Sequence, residues 1–295
     1  MRLSVVIACR NGAKTLARTL DSIRSMRRED LEVIVADDGS DDDSALVAER
    51  AGAAVLRLPK RGRAAALNDG IAAASGEAVL FTDADCLVPP AWADDLEKFL
   101  TDGWDGVGGN LVPSSWTAIE TAKVLRYLHE FDDDFVLEGA YTRYCLNGNN
   151  MAIKKSALDR VGGFDTRFVH GADADLTRRL LDAGFRLLRT RSIQTTHLKV
   201  DTLPAFLSTF YTRGSAVRFA MDQGPIPPAV LRRAWLSPFA RIFEDYGKLA
   251  AMKRLFPGVP AVRLILAPAA HFLADLWAAA GQQAYHRKFS KEAAR

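Results

Sequence analysis

Two aspartates one residue apart, Asp83 and Asp85, close the apolar run Ala78-Val79-Leu80-Phe81-Thr82. In an extended chain, residues two apart project from the same face. A carboxylate pair at the mouth of a buried strand is therefore an oxygen-rich site for a hard divalent cation. Mg²⁺ takes one or two carboxylates and completes its octahedron with water and substrate phosphates. The same residues also read as an Asp-rich turn, so the rest of the chain has to decide. Two further polar clusters follow apolar runs in the same manner: Cys9-Arg10-Asn11 and Asp37-Asp38-Gly39-Ser40.

The elements that would carry these clusters alternate. Strand-like runs occur at Leu3–Ala8, Leu31–Ala36, Ala53–Leu58 and Ala78–Thr82, with helix-like stretches near Ala13–Ser25, Asp42–Ala51 and Arg63–Ser75. Continuous apolar runs suit strands buried on both faces of a parallel sheet. The alternation predicts an α/β fold with right-handed crossovers. Ligands of open α/β sheets bind outside the carboxyl ends of the strands, where all three clusters fall. Further on, Trp92–Leu100 reads as a helix, Gly106–Val112 as a strand and Thr117–Phe131 as a helix. Asn147-Gly148-Asn149-Asn150-Met151-Ala152-Ile153 reads as a strand entered through a tight turn. Lys155–Val161 is a short helix stopped by Gly162-Gly163, and Ala174–Ala183 a clearer one with Asp173 near its start.

The chain has 295 residues, 48% hydrophobic and 25% charged, enough for one large domain or a domain with an extension. Cys9, Cys86 and Cys145 match neither zinc spacing nor a disulfide framework, which points to a reducing compartment. The first apolar run is too short for a signal peptide. Net charge is +3 but unevenly placed: from Ile226 to Arg295 there are eleven Lys+Arg against four Asp+Glu. A basic tail on a mildly acidic body suits an anionic surface. No nucleic-acid motif is present, and a phospholipid face is the expected partner. The expected organisation is a catalytic domain over residues 1–225 and a basic, amphipathic helical extension over 226–295.

In this order the clusters resemble the family-2 glycosyltransferases of the GT-A fold, over roughly the first 220 residues. The resemblance is carried by Val5-Val6-Ile7-Ala8-Cys9-Arg10-Asn11, Ala36-Asp37-Asp38-Gly39-Ser40, Gly62-Arg63-Ala64-Ala65-Ala66-Leu67-Asn68-Asp69-Gly70 and Asp83-Ala84-Asp85. It continues through Asn149-Asn150-Met151-Ala152-Ile153, Gly162-Gly163-Phe164-Asp165 and Ala172-Asp173-Ala174-Asp175-Leu176. It implies a Rossmann-like, mostly parallel sheet, a nucleotide-sugar donor, Mg²⁺ or Mn²⁺, and inverting transfer of a sugar to an acceptor hydroxyl. The implied setting is polysaccharide, glycolipid or cell-envelope glycan synthesis.

The resemblance also distributes roles. Asp85 is the expected direct metal ligand, with Asp83 on the ribose or a metal-bound water, and His197 follows a strand-like stretch where some relatives complete the metal shell. Asp38 is placed to accept a uracil imide N–H, which makes a UDP-sugar the first expected donor and a dTDP-sugar the second; helix capping is the alternative. Arg61 and Arg63 flank Gly62 ahead of a helix, where guanidinium groups meet diphosphate oxygens or stay solvated. Ala8, Arg10, Asn68 and Ala84 belong to the expected donor pocket, and Arg213 falls where a related loop meets the diphosphate. Asp173 inherits the general-base role, with helix capping as its alternative and Asp175 structural. Asn149, Asn150 and Ala172 fall on the acceptor side, Ala172 standing where the family usually has a carboxylate. The Gln-x-x-Arg-Trp signature of processive synthases is absent, which favours single-sugar transfer.

Two other functions are open to the same fold. Nucleotidyl transfer to a sugar phosphate would call for a glycine-rich, Arg-Lys-containing loop after the first strand, and this chain lacks one. A non-catalytic nucleotide-sugar-binding protein is the other, and keeping Asp38, Asp83, Asp85 and Asp173 together argues against it. Beyond Gly258, Pro268 interrupts an apolar stretch in which His271, Asp275 and Gln282 lie on one helical face, opposite Leu266, Leu273 and Trp277. With Arg287, Lys288, Lys291 and Arg295 after it, this segment reads as an interfacial or packed helix rather than a span. The expected location is cytoplasmic, peripheral to the membrane, with a glycan or lipid-linked acceptor.

Overall fold

A computed structural model of the chain describes residues 1–26, 28, 30–126, 131, 134–137, 145–211 and 248–292. It divides into two compact units, residues 1–112 with 132–199 and residues 113–131 with 200–295. The expected boundary at 225–226, and Arg213, lie outside the described residues.

The first unit is built on one mixed sheet. Its strands are β1 (Leu3–Cys9), β2 (Leu31–Asp38), β3 (Ala54–Leu58), β4 (Ala78–Thr82), β5 (Cys86–Leu87), β6 (Gly106–Pro113), β7 (Phe135–Leu137), β8 (Asn150–Lys154) and β9 (Leu187–His197). They run in the order β3-β2-β1-β4-β8-β6-β9-β5, with β7 on β9. The pairs β1–β2, β2–β3 and β1–β4 are parallel. A parallel pair needs a crossover, and α1 (Ala13–Arg24), α2 (Ser44–Arg50) and α3 (Arg63–Ala73) supply them. The pairs with β8, and those of β9 with β5 and β7, are antiparallel. This is the α/β arrangement expected from the sequence, its parallel half made by the first hundred residues.

Side-chain alternation along β1 explains the layers. Leu3, Val5, Ile7 and Cys9 join a core with Leu16, Leu20 and Ile23 of α1 and with Trp92, Leu96 and Leu100 of α4 (Trp92–Thr101). Val6 points the other way, into a core with Leu67 and Ile71 of α3, Leu158 of α6 (Lys155–Val161), and Leu176 and Leu180 of α7 (Ala172–Asp182). The helix α3 lies directly on the sheet: a Cβ at Gly70 would sit 2.3 Å from Val6 Cγ1, so any larger residue there would lift the helix. The chain runs β1→β2→β3 in one direction and returns to β4 on the other side of β1. The strand order therefore switches between β1 and β4, the place where open α/β sheets hold ligands.

The second unit is helical. It contains α5 (Ala118–Arg126), α8 (Leu249–Leu255) and α9 (Ala261–Glu292), with α9 packed along α5. The Phe256 ring meets Trp116 and Phe131 with centroids 4.9 and 5.1 Å apart. Glu120 is buried and neutralised by Lys123 at 2.9 Å, which also reaches Asp201 at 3.1 Å. Pro268 does not interrupt the helix as expected, because α9 continues through it to Glu292. Residues Ala261–Ala278, of mean hydropathy 1.3, are long and apolar enough to cross a membrane by length and composition. No disulfide joins Cys9, Cys86 and Cys145.

Candidate active site

The Asp83–Asp85 turn lies at the switch point and is held from two sides. Cys86 donates its backbone N–H to the Asp83 carbonyl at 3.1 Å, and Leu198 donates to the Asp85 carbonyl at 2.8 Å. Pairing of Cys86 with His197 between β5 and β9 brings His197 Nε2 to 3.3 Å from Asp85 Oδ2. Burial works against ionisation of Asp85, yet the His197 hydrogen bond and charge, helped by Lys199, hold its carboxyl below the ordinary range. Ligand atoms of Asp83, Asp85 and Cys86 lie within 4.8 Å of one another. Cys86 is not a ligand in kind: burial, reinforced by the two neighbouring carboxylates, pushes its thiol far up, and only a thiolate binds metal well. The remaining donors are two carboxylates with an adjacent imidazole, a set that fits Mg²⁺ or Mn²⁺.

Arg63, in the first turn of α3, donates to Asp83 Oδ1 from Nη2 at 2.7 Å and Nε at 3.2 Å, and to the Gly148 carbonyl at 2.9 Å. Desolvation opposes its charge, but the charge and hydrogen bonds of Asp83, with the charge of Asp173, hold it more firmly protonated than usual. Gly148 is the hinge of the arrangement. A Cβ there would lie 3.2 Å from Arg63 Nη2 and 3.6 Å from Asp173 Cβ. The acidic turn, the arginine and the expected base thus meet with only a glycine between them. Asp173 is half-buried in the first turn of α7, where Gly171 is the N-cap and makes no side-chain capping bond. The Asp173 Oδ1 accepts the adjacent Ala174 N–H at 3.0 Å.

Residues 4–175 match the family model described as glycosyl transferase family 2. The chain belongs to that family. It is 29% identical over 197 residues to glycosyltransferase AglE of Haloferax volcanii, covering 63% of each chain. It is 35% identical over 199 residues to the pre-mycofactocin glycosyltransferase of Mycobacterium tuberculosis, covering 63% of this chain and 40% of the other. The match spans less than two thirds of the length of either relative. Among solved structures, the mannosyltransferase PcManGT from Pyrobaculum calidifontis, in complex with GDP-Man and Mn²⁺, superposes with a TM-score of 0.65 at 23% identity. That alignment covers 96% of this chain and 87% of the other.

Within this family-2 chain, several motif residues hold the site rather than face it. Asp38 is buried, and its carboxylate accepts the backbone N–H groups of Arg61 at 2.6 Å and Gly62 at 3.0 Å. It fastens the loop that presents Arg63, and Gly62 turns that loop at φ +97°. Asp37 accepts the Ser40 N–H at 3.1 Å and closes the turn after β2. Arg61 pairs with Asp69 on α3.

Asn68 does not take the donor-pocket role that the resemblance implies: its amide is committed to the Phe164 backbone, donating to the carbonyl and accepting from the N–H, both at 2.8 Å. Gly163, at φ +68°, comes so close that a Cβ would lie 2.5 Å from Asn68 Oδ1. Arg179 grips the same turn from α7, donating to the Val161 and Gly163 carbonyls at 2.7 Å each, while its Nε holds Asp175 at 2.7 Å. Asp175 is structural, as expected. The helices bearing Arg63 and Asp173 are therefore bolted to one Gly162-Gly163-Phe164 turn. Asn68→Ala would strand a backbone donor and acceptor, and is expected to lower unfolding free energy by about 1–3 kcal/mol in a denaturant titration. An unchanged midpoint would show that the turn does not depend on it.

Asn150 is also a correction on the acceptor side. It is fully buried, accepts from Trp92 Nε1 at 2.8 Å, and donates to the Asn110 and Ile193 carbonyls at 2.8 and 3.1 Å. Both amide hydrogens are used inside the protein, so it ties β8 to its neighbours. Asn149 differs: its Oδ1 is shielded from solvent and has no hydrogen-bond partner among the described residues. Ala172 is half-buried against the second core. Ala8 is half-buried just before the buried Cys9 that ends β1, and Arg10 is exposed after it. The loop that follows seats on the acidic turn, since a Cβ at Gly12 would meet Ala84 Cβ at 3.3 Å. The sequence places His197 with Asp85 in one expected metal shell, and the two are in contact; it does not single out Gly148 or Arg179, and the Asn-Gly turn at 147–148 is the available signal for the first.

Proposed function

We propose that the protein is an inverting, metal-dependent glycosyltransferase that moves one sugar from a nucleotide-sugar to an acceptor hydroxyl. The observation that carries this reading is the meeting of Asp83, Asp85 and His197 with Arg63 and Asp173 around Gly148. Asp85 and Asp83, with His197 beside them, would hold Mg²⁺ or Mn²⁺, which when bound neutralises the departing nucleoside diphosphate as a Lewis acid. Arg63 adds a fixed, multiply hydrogen-bonding cation on the same side, suited to diphosphate oxygens. Asp173 takes the proton of the acceptor hydroxyl through a carboxylate oxygen. Attack comes from the face opposite the leaving group, through an oxocarbenium-like state, and a single displacement inverts the anomeric centre. Asn149, next to Gly148, supplies a polar group on the acceptor side.

In this proposal residues 1–225 form the catalytic domain and 226–295 an extension that brings it to the cytoplasmic face of a membrane. The product belongs to a polysaccharide, glycolipid or cell-envelope glycan. A UDP-sugar is the first donor proposed, on the family resemblance and not through Asp38, whose carboxylate is taken by the Arg61 and Gly62 N–H groups; GDP-mannose, which PcManGT binds, is the comparison. The deciding measurement is thermal unfolding with UDP, dTDP and GDP, each with and without Mn²⁺, because a bound ligand stabilises the fold by mass action. A metal-dependent rise in Tm with UDP is expected. No rise with any of the three would remove the donor site from the proposal.

A further inference from the structure

The helix α9 is turned inside out. Of its residues from Ala261 to Ala280 with described side chains, ten are exposed: Arg263 and nine apolar ones. The larger of these, Val262, Ile265, Leu266, Leu273, Leu276 and Trp277, are each between 40% and 59% exposed. Their spacing of three, four or seven residues places them on a single stripe, about 22 Å long at helical rise. The inward face carries Leu264, Ala267, Ala274 and also Asp275, which is only 7% exposed. A helix on a water-facing surface normally has the opposite arrangement, and an apolar patch of this kind marks an interaction site.

We infer that this stripe docks on an anionic phospholipid surface, with α9 lying in the plane of the interface. The inference rests on the proposed membrane setting but not on the proposed chemistry. Charge selects the partner. From Lys248 to Arg295 the chain has eight Lys+Arg and two Asp+Glu, and one of those two acids is the inward Asp275. A second copy of the same face would bring like charges together, whereas an anionic bilayer attracts them. Trp277, apolar in body with one polar N–H, suits the headgroup boundary. Packing along α5, which carries Glu120 and Lys123, and burial of Asp275 put ionisable groups within the helix pair, which argues against a span. An interfacial helix sinks its apolar face only about 5–10 Å.

The test uses the full chain and vesicles of phosphatidylcholine alone or with phosphatidylglycerol, read by flotation and by quenching of tryptophan fluorescence with brominated lipid. Binding to the anionic vesicles, weakened by salt, with quenching that disappears in Trp277→Phe, is expected. Leu266→Glu/Leu273→Glu, two exposed positions of the second unit that supply no residue of the candidate site, is expected to lower binding by at least about 10-fold while thermal unfolding with nucleotide stays as in the wild type. The nucleotide measurement keeps failure of the catalytic reading separate from failure of this one. Absence of vesicle binding, binding indifferent to the double substitution, or resistance to alkaline carbonate extraction would each overturn the inference. A dimer by light scattering that the double substitution dissociates would do so too, by assigning the face to a second copy.

Discussion

Asp85→Asn is expected to lower release of nucleoside diphosphate from the donor by more than about 10²-fold, the scale of losing one preorganised charged or polar group at a reacting centre. The substitution keeps the side-chain volume, and an amide oxygen can still face His197, so the turn at the end of β4 should fold. What is lost is the charge that His197 and Lys199 stabilise and that a hard cation requires. Nucleotide binding should therefore lose its dependence on Mn²⁺ in calorimetric titration while a weak, metal-independent component remains through Arg63. The pH dependence has a definite sign. The folded state lowers the Asp85 pKa, so its ionised form contributes stability at neutral pH, and that contribution is lost as pH falls through the lowered value. Asp85→Asn should accordingly flatten the acid limb of the stability profile. Metal-dependent turnover at the wild-type rate in Asp85→Asn would move the metal elsewhere.

The frame of this site was legible in the sequence because it depends on local patterns. Val5, Val6 and Ile7, or Leu80 and Phe81, are apolar in succession because the sheet buries both faces, and that marks the strands and hence their polar ends. The contacts that complete the site are not local. His197 reaches Asp85 through pairing with the two-residue strand Cys86–Leu87, too short to leave a periodic signal. Asn68 and Asn150 sit in recognisable motifs, but residue type does not reveal whether an amide faces a ligand or a neighbouring backbone. Here both bond the protein itself. The period of α9 announces a stripe, yet which side is covered is decided by α5, and the sequence places the acidic and apolar faces without saying which points outward.

Asp173→Asn carries the other large effect. Transfer should fall about 10²–10⁴-fold, the usual contribution of a positioned general base, with nucleotide affinity within a factor of about two, far below the roughly tenfold that 1.4 kcal/mol would produce. The two readouts separate because Asp173 lies across Gly148 from the acidic turn and makes no hydrogen bond to it among the described residues. Asparagine can still accept the Ala174 N–H, so a residue whose only task was to close the first turn of α7 would tolerate the change. Asp173→Glu places the same base about one methylene further out. It should recover part of the rate if proton transfer is the lost step, and none if the turn was disturbed. Arg179→Lys tests the frame from behind: it keeps a cation near Asp175 but cannot donate to the Val161 and Gly163 carbonyls together. If α7 is aimed by that clamp, turnover falls with nucleotide binding unchanged, in the same pattern as Asp173→Asn but smaller. Loss of nucleotide binding in Asp173→Asn would instead assign Asp173 to the donor and leave the acceptor hydroxyl to another base.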